Sequence, residues 1–268
     1  MADETEVRPV ETLEEARAAA HLFDRVWGEQ RVIGTPLLWA MASHGGQVLA
    51  AFHGEEMIGA QVGVVGLVDG KPALHSHITG VLAGVQHRGV GFLLKKAQRE
   101  WCLARGIDRI TWTFDPLVAR NAYFNLVKLG AVAERFHRDY YGEMEDAFNR
   151  GERSDRLEVL WDLRTERVRA AFGEAPAPAE PTSSAALSRI ADMEGTPQPS
   201  EEPLRAGERM VSIAVPEDYH GLRERDPELA RAWRDAVGDA LEEAYGLGYR
   251  ATSFARDEGR AAYMLETG

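Results

Sequence analysis

Val85-Gln86-His87-Arg88-Gly89-Val90-Gly91 lies between a run with strand character, His75 to Val81, and a run with helical spacing that begins at Gly91. Glycine at 89 and 91 removes side chains where a ligand would have to meet the backbone. At the head of a helix the amides of residues 87 to 92 face outward, and the helix dipole favours an anion there. Arg88 adds a fixed positive charge whose planar donors match phosphate oxygens. The heptamer therefore predicts a pyrophosphate cradle, with a plain tight turn as the alternative. Two other phosphate loops are excluded. Gly-Lys-Ser/Thr is absent, so this is not a P-loop. The loop follows an antiparallel meander and is not the opening turn of a doubly wound parallel sheet, so it does not read as a dinucleotide fingerprint.

Upstream, Glu6-Val-Arg-Pro-Val reads as a short strand. Thr12 with Glu15 three residues on forms a capping box before a helix whose apolar face is Ala16, Ala19, Ala20, Phe23 and Val26. Pro36 opens a second short helix through Met41. Gln47–His53, Met57–Leu67 and His75–Val81 read as three consecutive antiparallel strands, with Asp69-Gly70 as a hairpin turn. Downstream, Gly91 to Ala104 reads as a helix with Leu93, Leu94, Ala97, Trp101 and Ala104 on one face. Arg109–Phe114 is a strand, and Ala119–Leu129 a helix ended by Gly130. Ala131–Tyr141 and Leu157–Leu163 are further strands. A meander followed by a strand–helix–strand unit predicts a mixed α/β sheet with helices on both faces.

The 268 residues suffice for one large domain or two modest ones, with 44% apolar and 28% charged side chains. A single cysteine, Cys102, excludes an internal disulfide and a multi-cysteine zinc site, and suits a reducing cytoplasm. No run reaches the length of a membrane span, and the acidic first residues are unlike a signal peptide. The net charge of −12 argues against nucleic acid and anionic membranes as partners. The Ala/Pro-rich stretch from Phe172 to Pro203 reads as a semi-stiff linker, with a short helical turn allowed at 184–190. The expected organisation is thus a domain over 1–170, a linker over 171–204 and a small α/β segment over 205–268.

Gln86-x-x-Gly89-x-Gly91 after a strand ending in Val81 resembles the coenzyme A signature of the GNAT N-acyltransferase superfamily, and the order of elements from Val7 to Leu163 resembles its fold. Three stretches also resemble a bacterial GNAT-related subfamily with members linked to N-acylamino-acid metabolism. They are Leu74-His-Ser-His-Ile-Thr-Gly-Val, Ile110-Thr-Trp-Thr-Phe-Asp-Pro with Arg120-Asn-Ala-Tyr-Phe-Asn and Lys128-Leu-Gly-Ala, and Tyr141-Gly-Glu-Met. The resemblance implies acetyl-CoA or succinyl-CoA as co-substrate, no metal, and a small-molecule amine acceptor such as an amino acid. It places the backbone of Leu82, Ala83 and Val85 beside the pantetheine arm and the amides of His87, Arg88, Gly89, Val90, Gly91 and Phe92 at the pyrophosphate, and counts Gln86 of the signature among the cofactor-binding residues. It assigns Asn121 and Asn125 as further cofactor contacts. It also implies that the strand at 75–81 splays from the strand at 109–114.

Direct transfer needs an unprotonated amine, a polarised thioester carbonyl and a proton for the departing thiolate. Strand alternation would put His75, His77 and Thr79 on one face and Ser76, Ile78 and Gly80 on the other. An imidazole titrates near neutrality, so His77 is the candidate base. Many relatives carry a tyrosine two residues before the lysine of a Lys-x-Gly motif. That position here is Leu126, and Tyr123, one turn earlier, is the candidate donor. Asp115, Arg150 and Arg156 are candidate acceptor contacts, the arginines as a clamp on a carboxylate. A turn-forming role is the alternative for Asp115.

In the C-terminal segment, Met210–Val215, the helix Pro227–Gly246, and strands from Tyr249 and Arg260 repeat a strand–helix–strand–strand order. This is half of a GNAT-like lobe without a phosphate loop, expected to dock on the first domain or on a partner subunit of a homodimer. The sequence thus reads as an acyl-CoA-dependent N-acyltransferase, and the competing readings are a non-catalytic coenzyme A-binding regulator and a protein N-terminal or lysine acetyltransferase.

Overall fold

The computed structural model describes residues 5–28, 33–142, 151–175, 190–193, 196–199, 209–257 and 260–267. The chain forms two compact units, Met1–Trp112 with Met144–Gly151, and Thr113–Glu143 with Glu152–Gly268. The mixed α/β class expected from the sequence is the one observed.

In the first unit the chain runs β1 (Thr5–Pro9), α1 (Leu13–Trp27), α2 (Thr35–Ser43), β2 (Gln47–His53), β3 (Glu56–Val68), β4 (Lys71–Val81), a 3-10 turn (Ala83–Arg88), α3 (Val90–Leu103) and β5 (Arg109–Phe114, of which 109–112 belong here). Strands β1 to β5 lie side by side in sequence order. The first four are antiparallel, and β5 is parallel to β4. The hairpin between β3 and β4 turns on Asp69 and Gly70, both at positive φ (51° and 74°), as a primed turn requires.

One face of the sheet is covered by α1 and α2, where Ala16, Ala19, Phe23 and Leu38 pack on Val48, Ala50, Phe52 and Ile78. The other face carries α3, with Val90 and Leu94 against Leu49, Ala51 and Ile58. Strand β2 alternates between the two cores, so six of its seven positions are buried. At the start of α1 the capping box is complete: Thr12 Oγ1 accepts from Glu15 N (3.1 Å), and the Glu15 carboxylate accepts from Thr12 N (3.3 Å) and from Glu11 N (2.8 Å). Arg8 donates to the same carboxylate at 2.6 Å and holds Glu15 below its ordinary pKa. That contribution is present at neutral pH and is lost as pH falls through the lowered value. Thr12→Ala should cost about 1 kcal/mol in urea unfolding. A loss below a few tenths would mean that the box adds nothing to packing.

The second unit continues with α4 (Ala119–Ala122) running into a π-helical turn (Tyr123–Lys128), β6 (Val132–His137), β7 (Arg156–Asp162), α5 (Glu166–Ala171), β8 (Ile190–Met193), β9 (Thr196–Pro199), β10 (Met210–Val215), α6 (Tyr219–Arg225), α7 (Pro227–Gly246), β11 (Tyr249–Asp257) and β12 (Arg260–Thr267). Its strands are ordered β7-β6-β11-β12-β10, all antiparallel, and β8 pairs with β9 apart. The C-terminal segment therefore joins β6 through β11, with Ala251 opposite Ala133. Tyr245 donates to Ala133 O (2.7 Å), and buried Tyr263 donates to Pro116 O (2.7 Å).

Several local expectations are corrected. The 119–129 helix changes pitch at Tyr123, where Leu129 N–H reaches back five residues to Phe124 O (3.0 Å). Arg167 on α5 then donates to the carbonyls of Leu126 (2.8 Å), Gly130 (3.0 Å) and Thr252, satisfying groups at the end of that helix. Strand β6 stops at His137 and not at Tyr141, because Asp139 turns at positive φ (51°). Residues 184–189 of the proposed helical turn lie outside the described residues, and Ile190 begins a strand. Among the described residues no helix is long and apolar enough to cross a membrane.

Candidate functional site

The loop after β4 is anchored where it leaves the sheet, since Leu82 N donates to Ile58 O of β3 (3.0 Å) and Val85 N to Leu82 O (3.0 Å). It winds into the 3-10 turn and reaches Gly89, which sits in the left-handed region (φ 77°, ψ 7°) and caps α3. Phe92 N and Leu93 N both donate to Gly89 O (2.9 and 3.1 Å). Among the described residues no side chain caps this helix, and no acidic residue occupies its first turn. Among the described residues, a Cβ at Gly89 would find nothing within 4 Å, which leaves open space over the backbone there. Val90 and Leu94 bury the opposite side of the same turn. These features fit an anionic group such as a pyrophosphate at the α3 N-terminus. Ala83, Gly84 and Gly89 are exposed, while Leu82 and Val85 are half-buried. The side chains of Gln86, His87 and Arg88, and the whole of Arg150, lie outside the described residues.

Strand β4 is bulged at the candidate base. Ile78 pairs with Val62 and Ser76 with Gly63, so His77 is an extra residue with no opposite number on β3. The expected alternation breaks there. Gln61 on β3 donates to both Ser76 Oγ (3.4 Å) and Thr79 Oγ1 (2.9 Å), which places those two hydroxyls on one face, the α3 side. Val81 joins the α3 core, whereas Ile78 and Gly80 meet α1. Thr79 thus leaves the face expected from a regular strand, because a bulge advances the side-chain phase by one residue. His77 is exposed and its ring centroid lies 6.0 Å from that of His75. His75 Nδ1 lies 3.4 Å from Thr111 Oγ1 of β5. The parallel ladder between β4 and β5 holds only Leu74 with Ile110 and His75 with Thr111, although both strands run on. The β4–β5 pairing therefore stops just before the bulge.

On the α3 side of that point lies a buried polar network that the sequence did not reveal. Lys95 is 4% exposed; its Nζ donates to Ser76 Oγ (2.9 Å) and Gln98 Oε1 (3.1 Å) and stands 3.9 Å from the Trp112 ring centroid. Gln98 donates in turn to Gln47 Oε1 (3.1 Å), and Gln61 donates to Gln98 Oε1 (3.2 Å). Burial pulls the Lys95 ammonium down to about 7. The buried face of α3 is Val90, Leu94, Lys95, Gln98, Arg99 and Cys102, and not the stripe through Leu93 and Trp101. Spacing by four from Val90 (94, 98, 102) would have found it, but the polar Gln98 hides the pattern. Cys102 is buried, and burial pushes its thiol up to about 12, which suits packing and not nucleophilic attack.

In the second unit, Tyr123 is half-buried on the π turn with Lys128 Nζ 5.7 Å from its ring centroid. Asn125 is buried, its carbonyl accepting from Ala131 N (3.1 Å), and Asn121 is half-buried with its amide donating to Val118 O (2.9 Å). Asp115 is engaged on both oxygens. It accepts from Leu117 N (2.9 Å), closing a turn, and takes a two-pronged bond from Arg234 of α7 (2.8 and 2.9 Å). Arg156 is buried with its guanidinium 3.8 Å from Asp115, donating to Asp155 O (2.8 Å). Arg234 also lies 3.5 Å from Glu152, which accepts from Tyr219 Oη at 2.6 Å. The structure thus brings Asp115 and Arg156 together around an arginine that lies 119 residues beyond Asp115 in the sequence.

No protein family matches the chain, and no curated protein does. Among solved structures, it is similar to an acetyltransferase of the GNAT family from Streptococcus pneumoniae, with 19% identity, 59% of this chain and 98% of that one covered, and a TM-score of 0.48. It is similar to the ribosomal-protein-S18-alanine N-acetyltransferase from Escherichia coli (15% identity, 60% and 95% covered, TM-score 0.47). It is also similar to Arabidopsis thaliana Naa50 in complex with a coenzyme A-peptide bisubstrate analogue (18% identity, 59% and 97% covered, TM-score 0.47).

Proposed function

We propose that this protein is an acyl-CoA-dependent N-acyltransferase of the GNAT kind that moves an acetyl or succinyl group to the amine of a small acceptor, an amino acid or a derivative of one. The observation that carries this reading is the conjunction, within one unit, of the open left-handed turn at Gly89 heading α3 and the early end of the β4–β5 ladder. The first accounts for a pyrophosphate and the second for a thioester lying against an open strand edge. The amides of the α3 first turn favour negative charge there. At the bulge, His77 is exposed and so accessible to an incoming ammonium group. Its imidazole takes the proton, and the free amine attacks the thioester carbonyl. The carbon–nitrogen bond forms as the carbon–sulfur bond breaks, and the proton that the nitrogen sheds on becoming an amide goes to the departing thiolate, which leaves as coenzyme A. The amino-acid acceptor rests on the likeness of the stretches at 74–81, 110–131 and 141–144 to proteins of N-acylamino-acid metabolism.

The test is thiol release from acetyl-CoA and succinyl-CoA in the presence of single amino acids, and of short peptides with free N-termini as the competing acceptors. Transfer to an amino acid is expected, with kcat lowered by about 10²–10⁴ in His77→Ala. Tight coenzyme A binding without thiol release from any amine would make the protein a coenzyme A-binding regulator. Turnover confined to peptides would make it a protein acetyltransferase.

A further inference from the structure

A buried lysine without a carboxylate is an expensive thing to place under a strand. Among the described residues no acid pairs with Lys95, and its partners are neutral: Ser76, Gln98 and the Trp112 ring. A leucine or methionine at 95 would remove the desolvation cost and pack the same helix face. The cation sits where β4 bulges and leaves β5, touching the residue directly before His77. We propose that Lys95 is a positioning residue for the transfer reaction: while its amine is protonated it fixes the Ser76 hydroxyl, and through it the shape of the bulge that presents His77.

The orientation of the network carries the argument. An ammonium group has three donors and no acceptor, so every neighbour must turn an oxygen toward it. Ser76 Oγ and Gln98 Oε1 both do so. The arrangement leaves Gln61 Oε1 and Gln47 Nε2 buried without partners at the rim of the cluster, so two amides are held in orientations that do not satisfy them. A neutral amine has a lone pair. Ser76 could then donate to Nζ, the Gln98 and Gln61 amides could turn, and the charge-assisted bond anchoring Ser76 would become an ordinary one. Burial brings this change of state to about pH 7, whereas the Trp112 face and the two hydrogen bonds favour the charged form. Of the ionisable groups around it, Cys102 on α3 acts on the charge of Lys95. Lys96, Arg99 and Glu100 on α3, Glu6 and Arg8 on β1, His53 on β2, Glu56 on β3, Lys71, His75 and His77 on β4 and Arg109 on β5 are the others carried by the surrounding elements.

The consequence for rate rests on the acyltransferase reading, but the coupling from Lys95 to the bulge does not. NMR of the lysine side chains in the full-length labelled protein locates the Lys95 midpoint, and hydrogen exchange of the Ser76, His77 and Ile78 amides reports the bulge. In the wild type, exchange at 76–78, corrected for intrinsic base catalysis, should rise about tenfold as pH passes that midpoint, the difference between a charge-assisted and a neutral anchor. Lys95→Arg, charged throughout, should keep the protected pattern from pH 6 to 9. Lys95→Met should show the unprotected pattern at every pH while melting roughly 5 °C higher than wild type at pH 6. That advantage should shrink toward pH 10, because an unfolded lysine holds its proton up to about 10.4 and wild-type stability rises over that interval. Unchanged exchange at 76–78 across the Lys95 midpoint, or a Lys95→Met protein with the wild-type pattern at pH 6, overturns the proposal. If Lys95→Met does not fold, the wild-type titration decides alone. Wild-type kcat should fall about tenfold over the same pH interval and stay level in Lys95→Arg. A protein that transfers nothing would remove the enzymatic reading and leave the exchange result standing.

Discussion

Arg234→Ala should destabilise the second unit by about 3–5 kcal/mol, the loss expected when one partner of a buried ion pair is removed and the other stays behind. The Arg234 side chain is 5% exposed and that of Asp115 14%, so neither charge would regain much water in the folded variant. Asp115 would lose both of its charge-assisted bonds and keep the Leu117 amide and a distant Arg156. Glu152 and Tyr219 would lose the cation beside them, which lies 4.9 Å from the Tyr219 ring centroid. The measurement is urea unfolding followed by fluorescence, with the fully buried Trp161 and Trp233 as reporters within the same unit. Arg234→Met combined with Asp115→Leu should recover more than half of the loss, because neither site of the pair then holds a charge, although Glu152 still lacks its cation. A loss near 1 kcal/mol for Arg234→Ala would mean that the pair is hydrated in solution and that its geometry does not hold α7 to the turn after β5.

A second ion pair explains a glycine that helix propensity disfavours. Gly238 lies inside α7, where a Cβ would come within 2.9 Å of Arg153 and 3.1 Å of Asp155. Arg153 grips Asp155 at 2.8 and 2.9 Å and reaches Asp235 on α7 at 2.7 Å, so the helix must leave room for the guanidinium. The roughly 1 kcal/mol lost to glycine in a helix interior is set against these bonds.

What could be read from the sequence was governed by local rules. Thr12 with Glu15, Asp69-Gly70, Gly130 and the spacing of Leu229, Trp233, Val237 and Leu241 each specify their structure within a few residues. The strand and helix order followed from them. Three features resisted the same reading because their causes are non-local. The bulge at His77 depends on how β3 and β4 align over ten residue pairs, and it altered which hydroxyls share a face. The buried face of α3 contains Lys95 and Gln98, whose polarity is tolerated only because Ser76, Gln61 and Gln47 arrive from three other strands. The partner of Asp115 lies on a helix that a periodicity argument reads as a plain amphipathic rod, with Arg234 beside Trp233 on its buried side. For the candidate site, the loop was legible and the supporting shell was not. Glycines announce a backbone requirement in the sequence, whereas a buried charge becomes visible only with its neighbours.

Gly89→Trp should weaken acetyl-CoA binding at least 100-fold in calorimetric titration while the protein stays folded. Two effects separate here. The first is backbone strain, since φ of 77° at Gly89 costs an L-residue about 1–2 kcal/mol, which any replacement would bear. The second is steric, because among the described residues a Cβ at 89 meets no atom within 4 Å, and a large side chain would extend into the space over the α3 amides. Gly89→Asn isolates the first, as asparagine adopts left-handed geometry more readily than most residues and is small. If the α3 N-terminus holds the pyrophosphate, asparagine should cost a few-fold in affinity and tryptophan should abolish binding, with both proteins melting within a few degrees of each other. Equal loss in the two would trace the effect to the shape of the turn and not to occupied space. Wild-type affinity in Gly89→Trp would show that nothing binds over Gly89, and the acyltransferase reading would then lose the site of its co-substrate.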